Sequence, residues 1–135
     1  MLSSTDQLMN CSNDPIKEIK TIREGIRSDL IDRFLNEQSF PIKDVLHRLK
    51  ITSSTYFAKK KEHKRLDSPS TEKFLRLFST IKNANEILGE TEAKDWLYRQ
   101  IPSLGEQAPM DLLDTDVGFR LVEQVLLQIK YGIYG

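Results

Sequence analysis

Between Lys50 and Lys61 the chain concentrates side chains suited to touching a polyanion. Ser53, Ser54 and Thr55 place hydroxyls at the start of a helical segment, and Lys50, Lys59, Lys60 and Lys61 surround it with ammonium groups. Hydroxyls and lysines contact base edges and phosphate oxygens. The same lysines also suit the end of a solvated helix, where cations meet the negative pole of the backbone dipole, so the run alone leaves both readings open. Catalytic chemistry has no comparable foothold. His47 and His63 lack cysteine partners and zinc spacing, and no phosphate-loop, dinucleotide or zinc-protease motif occurs. The carboxylates of the second half are dispersed rather than paired for acid–base work. The residues predict no enzyme, no metal site and no cofactor, and place function in the surfaces.

Charge divides the chain. From Pro41 to Arg65 eight basic residues face two acids, whereas from Glu86 to Val125 nine acids face three bases. The overall net charge of zero conceals this asymmetry. A positive segment suits a polyanion and an acidic one a basic partner, which predicts two different binding functions. At 135 residues, 39% hydrophobic and 30% charged, the composition is that of an ordinary soluble protein with one moderate core or two small lobes. No apolar run approaches a membrane span. The first residues lack a basic leader and a signal-length apolar stretch, and the single Cys11 fits a reducing compartment, so a cytoplasmic location is expected.

The elements that must position these groups read as helices throughout. Ile16, Ile19, Ile22 and Ile26, then Leu30, Ile31, Phe34 and Leu35, recur at helical spacing and predict one or two helices. Ser39 is a candidate cap and Pro41 a first-turn residue for a helix carrying Val45, Leu46 and Leu49. Thr52 or Ser53 would cap the next helix, anchored inward by Tyr56 or Phe57, with Ser53, Ser54, Thr55, Lys59 and Lys60 facing out. A long helix over Ser70 to Leu88 stops at Gly89. Beyond it come a helix with Ala93, Trp96 and Leu97, a loop through Gly105, a short helix opened by Pro109, and a last helix starting near Thr115 with Val117, Leu121 and Val125 inward. No strand pattern or internal repeat is present. The expected fold class is all-α.

The pair of short helices from Pro41 to Lys61 has the dimensions of a helix-turn-helix. The tail, Tyr131, Gly132, Ile133, Tyr134 and Gly135, cannot easily continue a helix, and its tyrosines suit an interface. A frayed terminus is the competing reading. Trp96-Leu97, Leu104-Gly105, Pro109, Leu113, Thr115, Gly118, Val122-Glu123, Leu126 and Tyr131-Gly132 form an ordered series that resembles the toxin-binding domain of the Xre/MbcA/ParS antitoxins. Ile22 to Ile26, Ile51 to Tyr56, Arg65 to Asp67 and Ser70 to Leu77 resemble the Xre-like helix-turn-helix of the same proteins.

Together these resemblances cover about residues 20 to 135. They imply a DNA-binding domain at 15–80 and a toxin-binding domain at 81–135, preceded by a polar segment at 1–14 that is expected to be flexible. They further imply homodimers, operator DNA as one partner and, as the other, a toxin of the NAD-consuming RES class. The resemblance makes Tyr131 to Gly135 the element that occludes the toxin's pocket, and Lys50, Ser53, Ser54, Thr55, Lys59, Lys60 and Lys61 the DNA contacts. The family often carries arginines on its recognition helix where this chain has Thr55 followed by lysines, which predicts weaker bidentate readout of guanine. The rival expectation is a stand-alone helix-turn-helix regulator whose second half dimerises or senses a ligand.

Overall fold

The computed structural model describes residues 3–133 as two compact units, Met1–Leu75 and Arg76–Gly135. Among the described residues no strand forms, and the fold is all-α, as the periodicity predicts.

The first unit contains α1 (Ser4–Ser12), α2 (Pro15–Glu24), α3 (Ser28–Glu37), α4 (Ile42–Arg48), α5 (Ser53–Lys61) and the beginning of α6 (Ser68–Leu88). The segment expected to be flexible is instead largely helical. Ser3 caps α1 by accepting from the Asp6 amide at 3.1 Å, and Leu8 is fully buried as α1 packs on α2 and α3. One apolar anchor is a weak signal for a helix, but together with the buried Ser4 hydroxyl, which donates to Glu37, it seats the segment.

Of the one or two helices expected over these isoleucines and leucines, the structure forms two, α2 and α3. Gly25 has φ 86°, and a Cβ there would lie 2.1 Å from the Leu66 carbonyl oxygen, so only glycine permits the crossing. Around that crossing the Leu66 amide donates to Ile26 at 2.9 Å, and the buried Ile26 amide donates to the Thr71 hydroxyl at 3.1 Å. The break is thus held by chain more than forty residues away.

Three helices in succession end alike. Ser39, Lys50 and His63 take left-handed φ values of 62°, 58° and 55°. The following amides, of Phe40, Ile51 and Lys64, reach back to the carbonyls of Leu35, Leu46 and Lys59 at 2.8, 2.9 and 2.9 Å. This is the Schellman closure, which satisfies carbonyls the helix leaves open. Ser39 therefore terminates α3, and Pro41 is the N-cap of α4 rather than its first-turn residue. The start of α6 is held by Asp67, whose carboxylate accepts from the Ser70 amide at 2.8 Å.

The second unit contains the rest of α6, α7 (Glu90–Leu97), single 3₁₀ turns at Pro102–Leu104 and Pro109–Leu112, and α8 (Asp116–Lys130). Gly89 and Gly105 adopt φ of 84° and 69°, the turn roles their positions predict. Ile81, Trp96, Leu97, Met110, Leu113, Val122 and Leu126 are buried here and form the core of this unit. Arg76 on α6 donates to the carbonyls of Leu113 and Asp114, both at 3.1 Å, and so satisfies the turn that leads into α8.

Candidate nucleic-acid and partner interfaces

The hydroxyl and lysine cluster is built on α5. Tyr56 fixes the helix: it is 1% exposed, and its hydroxyl lies 2.5 Å from an Asp32 carboxylate oxygen and 3.2 Å from the Ser28 carbonyl. Burial and the neighbouring Asp32 push the phenol well above its ordinary pKa, so it stays a neutral donor. With Tyr56 inward, Ser54, Thr55, Ala58 and Lys61 face out, and Ser53 is exposed in the first turn. No side chain caps α5, which leaves first-turn amides beside three hydroxyls. Such an end accommodates a phosphate.

The lysines are not equivalent. Lys60 forms an ion pair with Asp32 on α3, and Lys59, less exposed, lies 3.9 Å from Asp67. Lys61 is exposed and makes no ion pair among the described residues. Lys50 is exposed in its left-handed turn, and its carbonyl accepts from the Lys73 ammonium at 3.2 Å. Elsewhere in the basic segment Arg48 pairs with Asp44 at 3.0 Å and Lys64 with Glu62 at 2.6 Å. Asp32 and Asp67 lie outside the stretch whose charge the sequence shows to be strongly positive. Spatial pairing therefore leaves the unopposed charge at Lys43, Lys50, Lys61 and Arg65, the last of which donates to the Gly25 carbonyl at 2.9 Å.

A second surface lies on α8. Thr115 caps this helix by accepting from the Gly118 amide at 3.0 Å. Gly118 lies so close to the 3₁₀ turn that a Cβ would come within 1.9 Å of the Leu112 carbonyl oxygen. That contact fixes the helix's rotation, with Val122, Val125 and Leu126 buried. Val117 and Leu121, expected to face inward, are instead 60% and 46% exposed. They continue along the helix through Gln124 and Gln128 towards Tyr131, with Leu127 at 50% exposure on the flank. The sequence carries one signal of this outcome. Apolar residues occur on more than one side of α8, which exceeds the single stripe a surface helix needs.

The expected occluding element follows directly. Tyr131 is the C-cap of α8, Gly132 takes φ 67°, and the Ile133 amide donates to the Gln128 carbonyl at 3.0 Å. Tyr131 and Ile133 are 65% and 70% exposed. Tyr134 and Gly135, the last of the expected contacts, lie outside the described residues.

Beside this helix, Glu123 carries a half-buried carboxyl group. Its oxygens accept from the Asn83 amide at 2.9 Å and the Thr80 hydroxyl at 3.5 Å. Desolvation raises its pKa, and the two hydrogen bonds only partly oppose the rise. Among the described residues no group of three or more His, Cys, Asp or Glu side chains is placed to hold a metal, and no helix is long and apolar enough to cross a membrane.

Comparison with known proteins points to the same half of the chain. Residues 83–132 match the family described as the antitoxin Xre/MbcA/ParS C-terminal toxin-binding domain. The Prs ADP-ribosylating antitoxin of Sphingobium sp. (strain YBL2) is 28% identical over 130 residues, covering 89% of this chain and 82% of that protein. Antitoxin Xre of Yersinia enterocolitica serotype O:8 is 23% identical, with 86% of this chain and 80% of the relative covered. Antitoxin Xre of Photorhabdus laumondii is likewise 23% identical, with 83% and 77% covered. The matched segment includes the capped start of α8, its close approach at Gly118 and its exposed apolar face, and over most of its length the chain is similar to antitoxins of the Xre/MbcA/ParS type.

Proposed function

We propose that this protein is the cytoplasmic antitoxin of a type II module, in which residues 76–135 capture and silence a RES-domain, NAD-degrading toxin and residues 1–75 bind the module's operator DNA as a homodimer. The observation that carries the toxin half is the exposed apolar face of α8 inside the segment that matches a toxin-binding domain. An apolar stripe on an otherwise charged surface marks an interaction site. Val117 and Leu121 supply the docking contact, and Tyr131, Gly132, Ile133, Tyr134 and Gly135 supply the plug that enters the toxin's pocket.

Support for the DNA half comes from α5, with its uncapped amino end, its hydroxyls and the free charge at Lys50 and Lys61. Ser53, Ser54 and Thr55 face the groove, and Lys59 and Lys60 act chiefly by holding α5 in place. Dimerisation brings two such weak readers onto adjacent half-sites.

The test separates docking from plugging. Leu121→Lys leaves a solvent-facing position solvent-facing, so the variant folds but loses the toxin, whereas truncation after Gly132 retains the complex and frees NAD hydrolysis. Both are read by co-purification with a RES-domain protein and by NAD consumption. Full inhibition by Leu121→Lys rejects the α8 face. DNA binding by a chain that neutralises no such toxin would leave a stand-alone regulator instead.

A further inference from the structure

Glu123 presents a physical anomaly within the second unit. Half-burying a carboxylate forfeits part of its hydration, which a paired cation would offset, yet its partners here, Asn83 and Thr80, are neutral. Cations exist nearby and are turned elsewhere. Lys82 pairs with Glu86 at 3.1 Å, and the Lys130 ammonium sits over the Tyr131 ring, 5.5 Å from its centroid.

Glu123 opens into a groove of about 410 Å³ between α6 and α8. Ile87, Leu126, Leu127 and Ile129 form its apolar wall, and Glu86 and Lys130 are the other ionisable groups that line it. With one hydrogen bond to each oxygen, the carboxylate keeps acceptor capacity for two more. The groove adjoins the exposed apolar side of α8 through Leu127.

We propose that this groove receives one arginine side chain of the bound toxin, whose guanidinium supplies the counter-charge that Glu123 lacks. The proposal rests on the toxin-binding reading and adds the chemistry of the partner's contact. Arginine is the occupant because its aliphatic stem lies against apolar walls while its fork takes the two open carboxylate positions, and because it sheds water more readily than an ammonium group does. The surrounding segment favours a cation as well, since nine acids face three bases from Glu86 to Val125.

The experiment uses the full-length chain and the RES-domain toxin as a complex. Glu123→Gln preserves the shape and the acceptor for Asn83 but removes the charge. Calorimetric titration at several salt concentrations gives about a tenfold or greater loss of affinity for this variant and a flatter salt dependence. In wild-type chain carrying ¹³C-labelled glutamate, the Glu123 carboxyl titrates at a lower pH in the complex than in the free protein. This second measurement needs no variant, so a misfolded Glu123→Gln protein leaves the question answerable. Unchanged affinity and salt dependence in a folded variant, or an unchanged Glu123 titration on complex formation, overturns the arginine groove while leaving toxin binding intact. No binding by the wild-type chain overturns both.

Discussion

Glu123 also makes the stability of the fold depend on pH. Its folded-state pKa is raised by desolvation, so the folded chain holds this proton more tightly than the unfolded chain does. Below the unfolded value both states are protonated and no penalty arises. As pH rises from about 4.5 through the raised folded value, the unfolded state gains by ionising first and the contribution to stability falls. Glu123→Gln abolishes this slope. Thermal melts between acidic and mildly alkaline pH should show wild type losing stability relative to the variant as pH increases; parallel curves, or the opposite sign, would mean that the carboxylate is comfortably solvated. At this scale a function-bearing carboxyl group is tolerated at a cost to the free protein.

The lysines of α5 show how an element reassigns the roles of residues. Lys61→Ala removes an unopposed charge and should lower the log–log salt slope of DNA binding by about 0.9 if it neutralises one phosphate. Lys60→Ala leaves Asp32 without its cation and should instead lower thermal stability, with little change in that slope. Equal effects on both quantities from the two substitutions would discard the distinction. The helices themselves were legible: Gly89, Pro109 and Thr115 mark their boundaries in the sequence because capping and turn chemistry are local. The break at Gly25 was not, because the Leu66 carbonyl that demands glycine is distant in sequence. Nor was the rotation of α8, since Val117 and Leu121 satisfy an inward helical period as well as Val122 and Val125 do. The clash a side chain at Gly118 would make with Leu112 decides between them. Likewise, the sign of the basic segment was readable, but the pairing of Lys60 with Asp32 required the third dimension.

At the scale of the whole molecule, α6 runs unbroken from Ser68 to Leu88 while the division between compact units falls after Leu75. One helix therefore contributes Phe74 to the first core and Phe78 to the second, both nearly inaccessible. Helix formation is cooperative along its length, so the units should unfold in one calorimetric transition. Phe78→Ala should move that transition as a whole, costing roughly 3–5 kcal/mol as a core truncation. Two resolved transitions, of which only one shifts, would show that α6 does not couple them. The division of charge matches this arrangement, with the basic stretch wholly before the boundary and the acidic stretch wholly after it.

The repeated left-handed helix ends bear on how long the protein survives. Ser39, Lys50 and His63 each hold a backbone conformation that costs a side-chain-bearing residue about 1–2 kcal/mol. Glycine would relieve part of that, less its own entropic cost of roughly 0.5–1 kcal/mol. Across three sites the difference, roughly 2 kcal/mol, changes the population of opened chains by a factor on the order of thirty. Proteolysis that acts on opened chains follows that population when opening and reclosing are fast. Replacing the three by glycine should therefore slow cleavage by a protease added to the folded chain, and an unchanged rate would show that the strain is absorbed elsewhere.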